Sequence, residues 1–342
     1  MSQSGKNSIT HHPLSITHPY VDDIAKELKE SGIVRWPDDP FAGPNGSPET
    51  SSAMFNPSLA VYQDRLVSLI RAFGKDESSI RLKRNEGVST FFRARFKEDG
   101  MTLEDLSNAP VFRPEGGQLD VEDPRTTFID GVYYVAYVST KLSDKNVTLE
   151  GNQLISFKPE LACTLDFENY HRFQISGMPE FTKDFVLFPR KVNGEYLALH
   201  RPTIPDELAN NPVLSRFYAK EQGIWLARSH DLRQWYGHRK ILNPASDEIR
   251  IGAGAPPIET EDGWVLFYHA VKMDKHTNKR IYSGQLALLD RFNPQFVKSV
   301  SDYILTPQRD YERKNPEILD LEHVFFTGAV PCEIVNGSRI PG

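Results

Sequence analysis

The chain has 342 residues, 39% hydrophobic and 25% charged, the balance of an ordinary folded protein with ample length for a large core. A formal net charge of −6 excludes a general nucleic-acid binder, whose footprint is basic, and two cysteines, Cys163 and Cys332, exclude a disulfide framework. No run approaches the roughly 18 apolar residues of a membrane span, so no membrane partner is expected.

In chain order, residues 1–50 read as an N-terminal extension with one short helix. The opening "MSQSGKNSITHHPLSITHPY" is polar and lacks the apolar stretch of a secretory leader, whereas "YVDDIAKELKE" (20–30) has helical periodicity. A cytoplasmic protein is expected, so the sequons at Asn45, Asn146 and Asn336 carry little weight. His11 and His12 have no carboxylate or cysteine at ligand spacing, and no metal is expected there.

From residue 51 to 342 one plan recurs. "AVYQDRLVSLIRAF" (60–73), "TFIDGVYYVAYVS" (127–139), "RKVNGEYLALHRP" (190–202) and "IETEDGWVLFYHAV" (258–271) each hold a short apolar strand, a polar turn and an alternating aromatic-aliphatic strand. A fifth copy begins at "CEIVNGSRI" (332–340). The turns at Asp64, Gly131, Gly194, Gly263 and Gly337 lie 63 to 74 residues apart, and each hairpin is followed by a further strand pair, as in "IWLARSHDLRQWYGHRKIL" (224–242). Four strands per repeat and five repeats predict an all-β, five-bladed β-propeller. A β-sandwich of irregular strands would leave the regular spacing unexplained. The fifth copy runs out at Gly342, so the last blade is expected to be incomplete unless the N-terminal segment supplies strands.

The first strands of propeller blades line a central channel, so polar residues recurring at their entrances converge. The first repeat has Asn56 and Arg71. The second has Glu122, Asp123 and Arg125. The third has Lys183, Asp184, His200 and Arg201, and the fourth Arg250, Tyr268 and His269. "RDYERKNPEILDLEHVFF" adds Asp310, Tyr311, Glu312 and His323. Each residue alone reads as a surface ion pair or turn cap, but recurrence at equivalent positions points to one site. Carboxylates, guanidinium forks and aromatics together suit a polyhydroxylated and anionic substrate.

"GAGAPP" (252–257) lacks the Lys-Ser/Thr and the helix of a nucleotide loop; its glycines are expected to let backbone approach the axis. No Ser-His-Asp or Cys-His arrangement stands out, and both cysteines read as packing residues.

Five motifs in register, "FNPS" followed by Arg71, "EDPR", "KDFVLFPRKVNGEYLALHRP", "RIGAGAPPIETEDGWVLFYHAV" and "ILTPQRDYE" with "VFFTGAV", resemble glycoside hydrolase family 130 over residues 50 to 332. The resemblance implies a five-bladed propeller acting on β-mannosides. Phosphorylases of that family cleave with inorganic phosphate and invert the anomeric centre to give α-mannose 1-phosphate; its hydrolases use water. It implies that Asp123 of "EDPR" is the general acid, with the proton passing through a sugar hydroxyl. Asn56, Arg71, Glu122, Asp184, Tyr268, His269 and Glu312 are implied to bind substrate. Lys183, Arg201 and Arg250 fall where the family's phosphorylases hold phosphate, so phosphate is a co-substrate and no cofactor is implied.

Position 183 is Lys where Arg is common, and the insert "KLSDKNVTLEGNQ" (141–153) and the end at Gly342, short of a sugar-binding Asp, also depart from the pattern. Three basic residues beside a neutral sugar favour a phosphorylase, since an anion must balance them. The alternatives are a β-mannosidase, for which Glu122 and Glu259 are the nearest carboxylates, and a related mannosyltransferase. A non-catalytic carbohydrate-binding propeller is a fourth reading, opposed by Asp123. Linkage, acceptor sugar and homo-oligomeric state are left open by the sequence.

Overall fold

The structure, a computed structural model, describes residues 21–23, 25–26, 51–74, 88–142, 148–149, 152–153, 155–203, 222–277, 280–308, 332–335 and 338–341. The first sheet is β1 (Ser51–Tyr62), β2 (Arg65–Gly74), β3 (Val88–Phe96) and β4 (Leu103–Leu106), in spatial order. In the second, β5 (Asp120–Ile129) and β6 (Val132–Leu142) are followed by a small inserted hairpin, β7 (Thr148–Leu149) with β8 (Asn152–Gln153). That sheet is completed by β9 (Ile155–Thr164) and β10 (His171–Phe173). The third is β11 (Thr182–Leu187), β12 (Tyr196–Pro202), β13 (Ile224–Ser229) and β14 (Trp235–Leu242). In the fourth the first strand is broken into β15 (Arg250–Ala253) and β16 (Ile258–Thr260), both pairing with β17 (Gly263–Met273), then β18 (Arg280–Leu289) and β19 (Val297–Val300). A separate hairpin joins β20 (Cys332–Val335) and β21 (Ser338–Pro341).

The hairpins form where the sequence supplies residues that tolerate left-handed backbone. Gln63 and Asp64 have φ of 52° and 58°, Asp130 and Gly131 49° and 85°, and Asn193 and Gly194 53° and 84°. Positive φ at both turn positions matches the right-handed twist of the flanking strands and fixes each hairpin's register.

Strand alternation gives every sheet two apolar faces, and neighbouring sheets cover them. Leu69, Phe91, Val121, Val135, Tyr137 and Phe167 bury the contact between the first and second sheets. Ile129, Leu161, Phe185, Leu187 and Trp235 join the second to the third. Val186, Leu199, Leu226, Trp264, Leu266 and Leu289 join the third to the fourth. This face-to-face succession is the stacking of propeller blades. The first strands meet along one line: β5 contacts β1 and β11, and β11 contacts β15.

The expected five blades therefore appear as four among the described residues. Of the fifth repeat the structure describes only β20 and β21; residues 309–331, which include Asp310, Tyr311, Glu312 and His323, lie outside the described residues. Within 20–30, residues 21–23, 25 and 26 are helical. Val21 and Ala25 pack on Val265, Leu286, Leu288 and Ile304, the face of the fourth sheet turned away from the third.

Candidate active site

The ladder breaks at the same place in the first strands of three successive sheets. Register shifts fall between Phe55 and Ser58, between Glu122 and Arg125, and between Lys183 and Val186. At each break a short polar residue takes left-handed backbone: Asn56 at φ 48°, Asp123 at 52° and Asp184 at 56°. Asn and Asp tolerate that conformation better than other non-glycine residues, and a bulge re-aims the side chain it carries. "FNPS", "EDPR" and "KDFV" are thus one structural device used three times.

Asn56 and Asp123 meet directly, and Asp184 is joined to them through Arg125. Asn56 Nδ2 donates to Asp123 Oδ1 at 2.7 Å, and Arg71 Nη1 donates to the same oxygen at 2.9 Å. Arg71 also reaches Glu122 Oε1 at 3.5 Å, and Lys183 Nζ donates to Glu122 Oε2 at 2.8 Å. Asp184 accepts from Arg125 Nη2 at 2.8 Å and from Arg201 Nε at 2.7 Å, with His269 Nε2 3.6 Å away. Arg125 is 1% exposed and spans three blades, donating also to the carbonyls of Gly254 at 2.9 Å and Ala253 at 3.1 Å. Arg250 Nη2 donates to Tyr282 Oη at 2.6 Å.

The glycines of "GAGAPP" have the role expected of close approach. A Cβ on Gly252 would sit 2.0 Å from Asp184 Oδ2 and 2.7 Å from His269 Cε1, so only glycine leaves room for that carboxylate.

Tyr268 does not join the site. Strand alternation turns it from the face that His269 uses, and at 3% exposure it packs in the core between the third and fourth sheets. His200 is likewise on the far face from Arg201, paired through Nε2 with His238 Nδ1 at 3.0 Å. Glu259 is held by Arg190 and Arg291 beside the β16–β17 turn, so it is no second carboxylate for Asp123. Residues that the sequence reading passed over are Ser89, which accepts from Arg71 Nε at 2.7 Å, and Gln222, which accepts from Arg201 Nη1 at 3.2 Å. Tyr282 is a third. None lies in a repeated motif; only their pairing with arginines marks them.

Electrostatics set the charge states. Burial opposes ionisation of Asp123, but Arg71, Lys183, Arg125 and the Asn56 hydrogen bond outweigh it and hold the carboxyl at about 2. Glu122 is also buried, and Arg71 and Lys183 hold it below the ordinary carboxylate range. In Asp184 burial is overcome by Arg201 and Arg125, and the carboxyl lies far below its usual value. Burial pushes His269 down to about 4, with Arg201, Arg125 and Arg250 adding to it, so the ring is neutral near pH 7. Among the described residues no group of His, Cys, Asp and Glu is arranged to hold a metal ion, and no helix is long and apolar enough to cross a membrane.

The chain is similar to known proteins. A family described as beta-1,4-mannooligosaccharide phosphorylase matches residues 33–318. The chain is 30% identical over 317 residues to a 1,2-beta-oligomannan phosphorylase of a Thermoanaerobacter species, covering 87% of this chain and 94% of that one. It is 28% identical over 295 residues to a beta-1,4-mannooligosaccharide phosphorylase of Ruminococcus albus, covering 83% and 75%. The solved beta-1,2-mannobiose phosphorylase of Listeria innocua, in complex with beta-1,2-mannobiose, superimposes with a TM-score of 0.65 at 24% identity, covering 90% of this chain and 94% of that one. With the motifs, the blade stacking and this match in agreement, the chain belongs to glycoside hydrolase family 130.

Proposed function

We propose that this chain is an inverting β-mannoside phosphorylase, with inorganic phosphate as co-substrate and no cofactor. The observation that carries the reading is the charge at the channel mouth. Arg71, Arg125, Lys183, Arg201 and Arg250 face Asp120, Glu122, Asp123 and Asp184 among the described residues, and burial with Glu122 nearby pushes Asp120 up to about 7. Guanidinium forks and an ammonium gathered beside these carboxylates supply the donors that a phosphate needs as well as those that a sugar uses. The relatives named as mannoside phosphorylases support the same reaction.

In this reaction a phosphate oxygen bonds to the anomeric carbon from the face opposite the glycosidic oxygen, whose bond to that carbon breaks. The leaving oxygen takes up a proton originating at Asp123. Lys183, Arg201 and Arg250 are assigned to the phosphate, and Asn56, Arg71, Glu122, Asp184 and His269 to orienting the sugar and the acid; Glu312 keeps the sugar-binding role that the motifs imply. A carboxyl held at about 2 is ionised in the free protein, so the acid role requires proton uptake. A phosphate dianion against Lys183, one of the cations that depress Asp123, offsets part of that field and raises its pKa. Phosphate thus serves as nucleophile and as the charge that arms the acid.

Five blades, with residues 1–50 as an extension and 51–342 as the propeller, go with this reading. The apolar face of the first sheet (Ile70, Ala94, Phe96) lies away from the second, and that of the fourth (Val265, Leu286, Leu288) lies away from the third and carries Val21 and Ala25, so a fifth blade would stand between these faces beside the N-terminal helix. A charged sugar phosphate is retained inside a cell, which suits a cytoplasmic setting. The deciding experiment incubates the protein with β-1,2- and β-1,4-manno-oligosaccharides, with and without phosphate. Mannose 1-phosphate formed only with phosphate is expected; free mannose released equally in both would make the chain a hydrolase.

A further inference from the structure

Arg71 is, with Asn56, one of two side chains that hold Asp123 Oδ1, and its own anchor lies elsewhere on its guanidinium. While Nη1 binds Asp123 Oδ1 at 2.9 Å, Nε donates to Ser89 Oγ at 2.7 Å. Having accepted from Arg71, the Ser89 hydroxyl keeps its own proton, and with the Ser89 backbone it stabilises the Asp120 carboxylate. Asp120 Oδ1 also accepts from the backbone N–H of Ser89 at 2.7 Å and of Val121 at 2.9 Å. Asp120 is 6% exposed and Ser89 fully buried, so neither is there to be wetted or to meet a substrate directly. Asp120 and Asp123 open the same strand, β5, yet the path between them runs through β3 and β2 of the neighbouring blade.

We propose that Asp120 is a positioning residue for catalysis: through Ser89 it fixes the guanidinium of Arg71, and so the orientation of the Asp123 carboxylate at the channel mouth. The chain Asp120–Ser89–Arg71–Asp123 closes a loop across the junction of two blades, so the acid is set by the docking of the first sheet on the second. The energetic sign supports a functional role. Burial first, and then the neighbouring Glu122 charge, penalise an ionised Asp120, which Arg71 and the donors of Ser89 and Val121 offset in part, and its pKa stands at about 7. A carboxylate placed at such a cost without touching the substrate makes sense if what it orders matters to turnover.

The inference rests on Asp123 being the acid, and the test keeps the two apart. Asp120→Asn, Ser89→Ala and the double variant are compared with the parent on whichever β-mannoside cleavage the parent performs. Asn keeps an oxygen for the Ser89 N–H but replaces the other with a donor, and it removes the buried charge, so the variant is expected to fold. Each single variant should lower kcat by roughly 10- to 100-fold, as expected for a misplaced acid, with the sugar KM changed less than about threefold. The double variant should fall no more than about threefold below the worse single, because both cut one path. A double effect equal to the product of the singles, or a single variant within about threefold of the parent kcat, overturns the proposal. Should the parent cleave no β-mannoside, the proposed function fails instead. The chain is then read from carboxyl 13C titration of Asp123, whose pKa should rise from about 2 in Ser89→Ala and in Asp120→Asn; an unmoved value in both overturns it.

Discussion

Replacing Arg125 by Met tests whether the site also holds the propeller together. The side chain is 1% exposed and binds Asp184, the carbonyls of Ala253 and Gly254, and the carbonyl of Asp123 at 3.3 Å, so one guanidinium stitches β5, β11 and the end of β15. Met fills much of the volume but leaves Asp184 short of one cation and two buried carbonyls short of a donor. Breaking a buried ion pair by removing one partner costs about 3–5 kcal/mol. Arg201 remains on the other oxygen of Asp184 at 2.7 Å, which places the expected loss near the lower end, about 3 kcal/mol. In a chain of this size that is roughly 6 °C in Tm, at about 2 °C per kcal/mol. Urea denaturation gives the free energy and a thermal melt the shift. Arg125→Lys, which keeps the charge but not the planar fork, should recover only part of the loss. Arg125→Met combined with Asp184→Asn should be less destabilised than the sum of the single changes, since the uncompensated charge is gone. A loss under about 1 kcal/mol in Arg125→Met, or strict additivity in the pair, would refute the view of Arg125 as the inter-blade tie.

Asp123→Asn should lower turnover by at least about 10²-fold while the melt stays cooperative; an enzyme keeping more than a tenth of the parental rate has another acid. Arg250→Ala should raise the KM for phosphate far more than that for the sugar, and equal effects on both would remove Arg250 from the phosphate site. Phosphate binding near neutral pH should take up more protons in the parent than in Asp123→Asn, because the carboxyl starts ionised with its pKa at about 2 and the bound dianion raises it. Calorimetry in buffers of different ionisation heat measures the difference, and equal proton counts would sink the arming mechanism. Gly252→Ala puts a methyl 2.0 Å from Asp184 Oδ2, so roughly 1–3 kcal/mol of stability and most activity should be lost; a variant with parental melting and turnover would mean that Asp184 has another resting place.

The repeat was written in the sequence, because a blade is a local object. Its strands alternate over a few residues, and turns such as Asp130-Gly131 and Asn193-Gly194 carry their geometry in their own residue types. The recurrence of those turns was enough to foresee stacked sheets. The same recurrence placed Asn56, Asp123 and Asp184 at equivalent strand entrances, where the structure finds the three bulges and the shared site. Only the tertiary structure could tell Tyr268 from His269, since adjacent strand residues look alike in sequence until one face is known to meet the third sheet and the other the channel. Only it could enlist Ser89, Gln222 and Tyr282, because each acts by touching an arginine brought from elsewhere in the chain, and Asp120, which bears on Arg71 through Ser89. Charge states, too, waited on the fold: a carboxyl at about 2 in Asp123 and one at about 7 in Asp120, three residues apart on one strand, are set by burial and by the cations that neighbouring blades bring to each. Local pattern specifies the unit. Long-range packing decides what each polar side chain faces, and with it the chemistry.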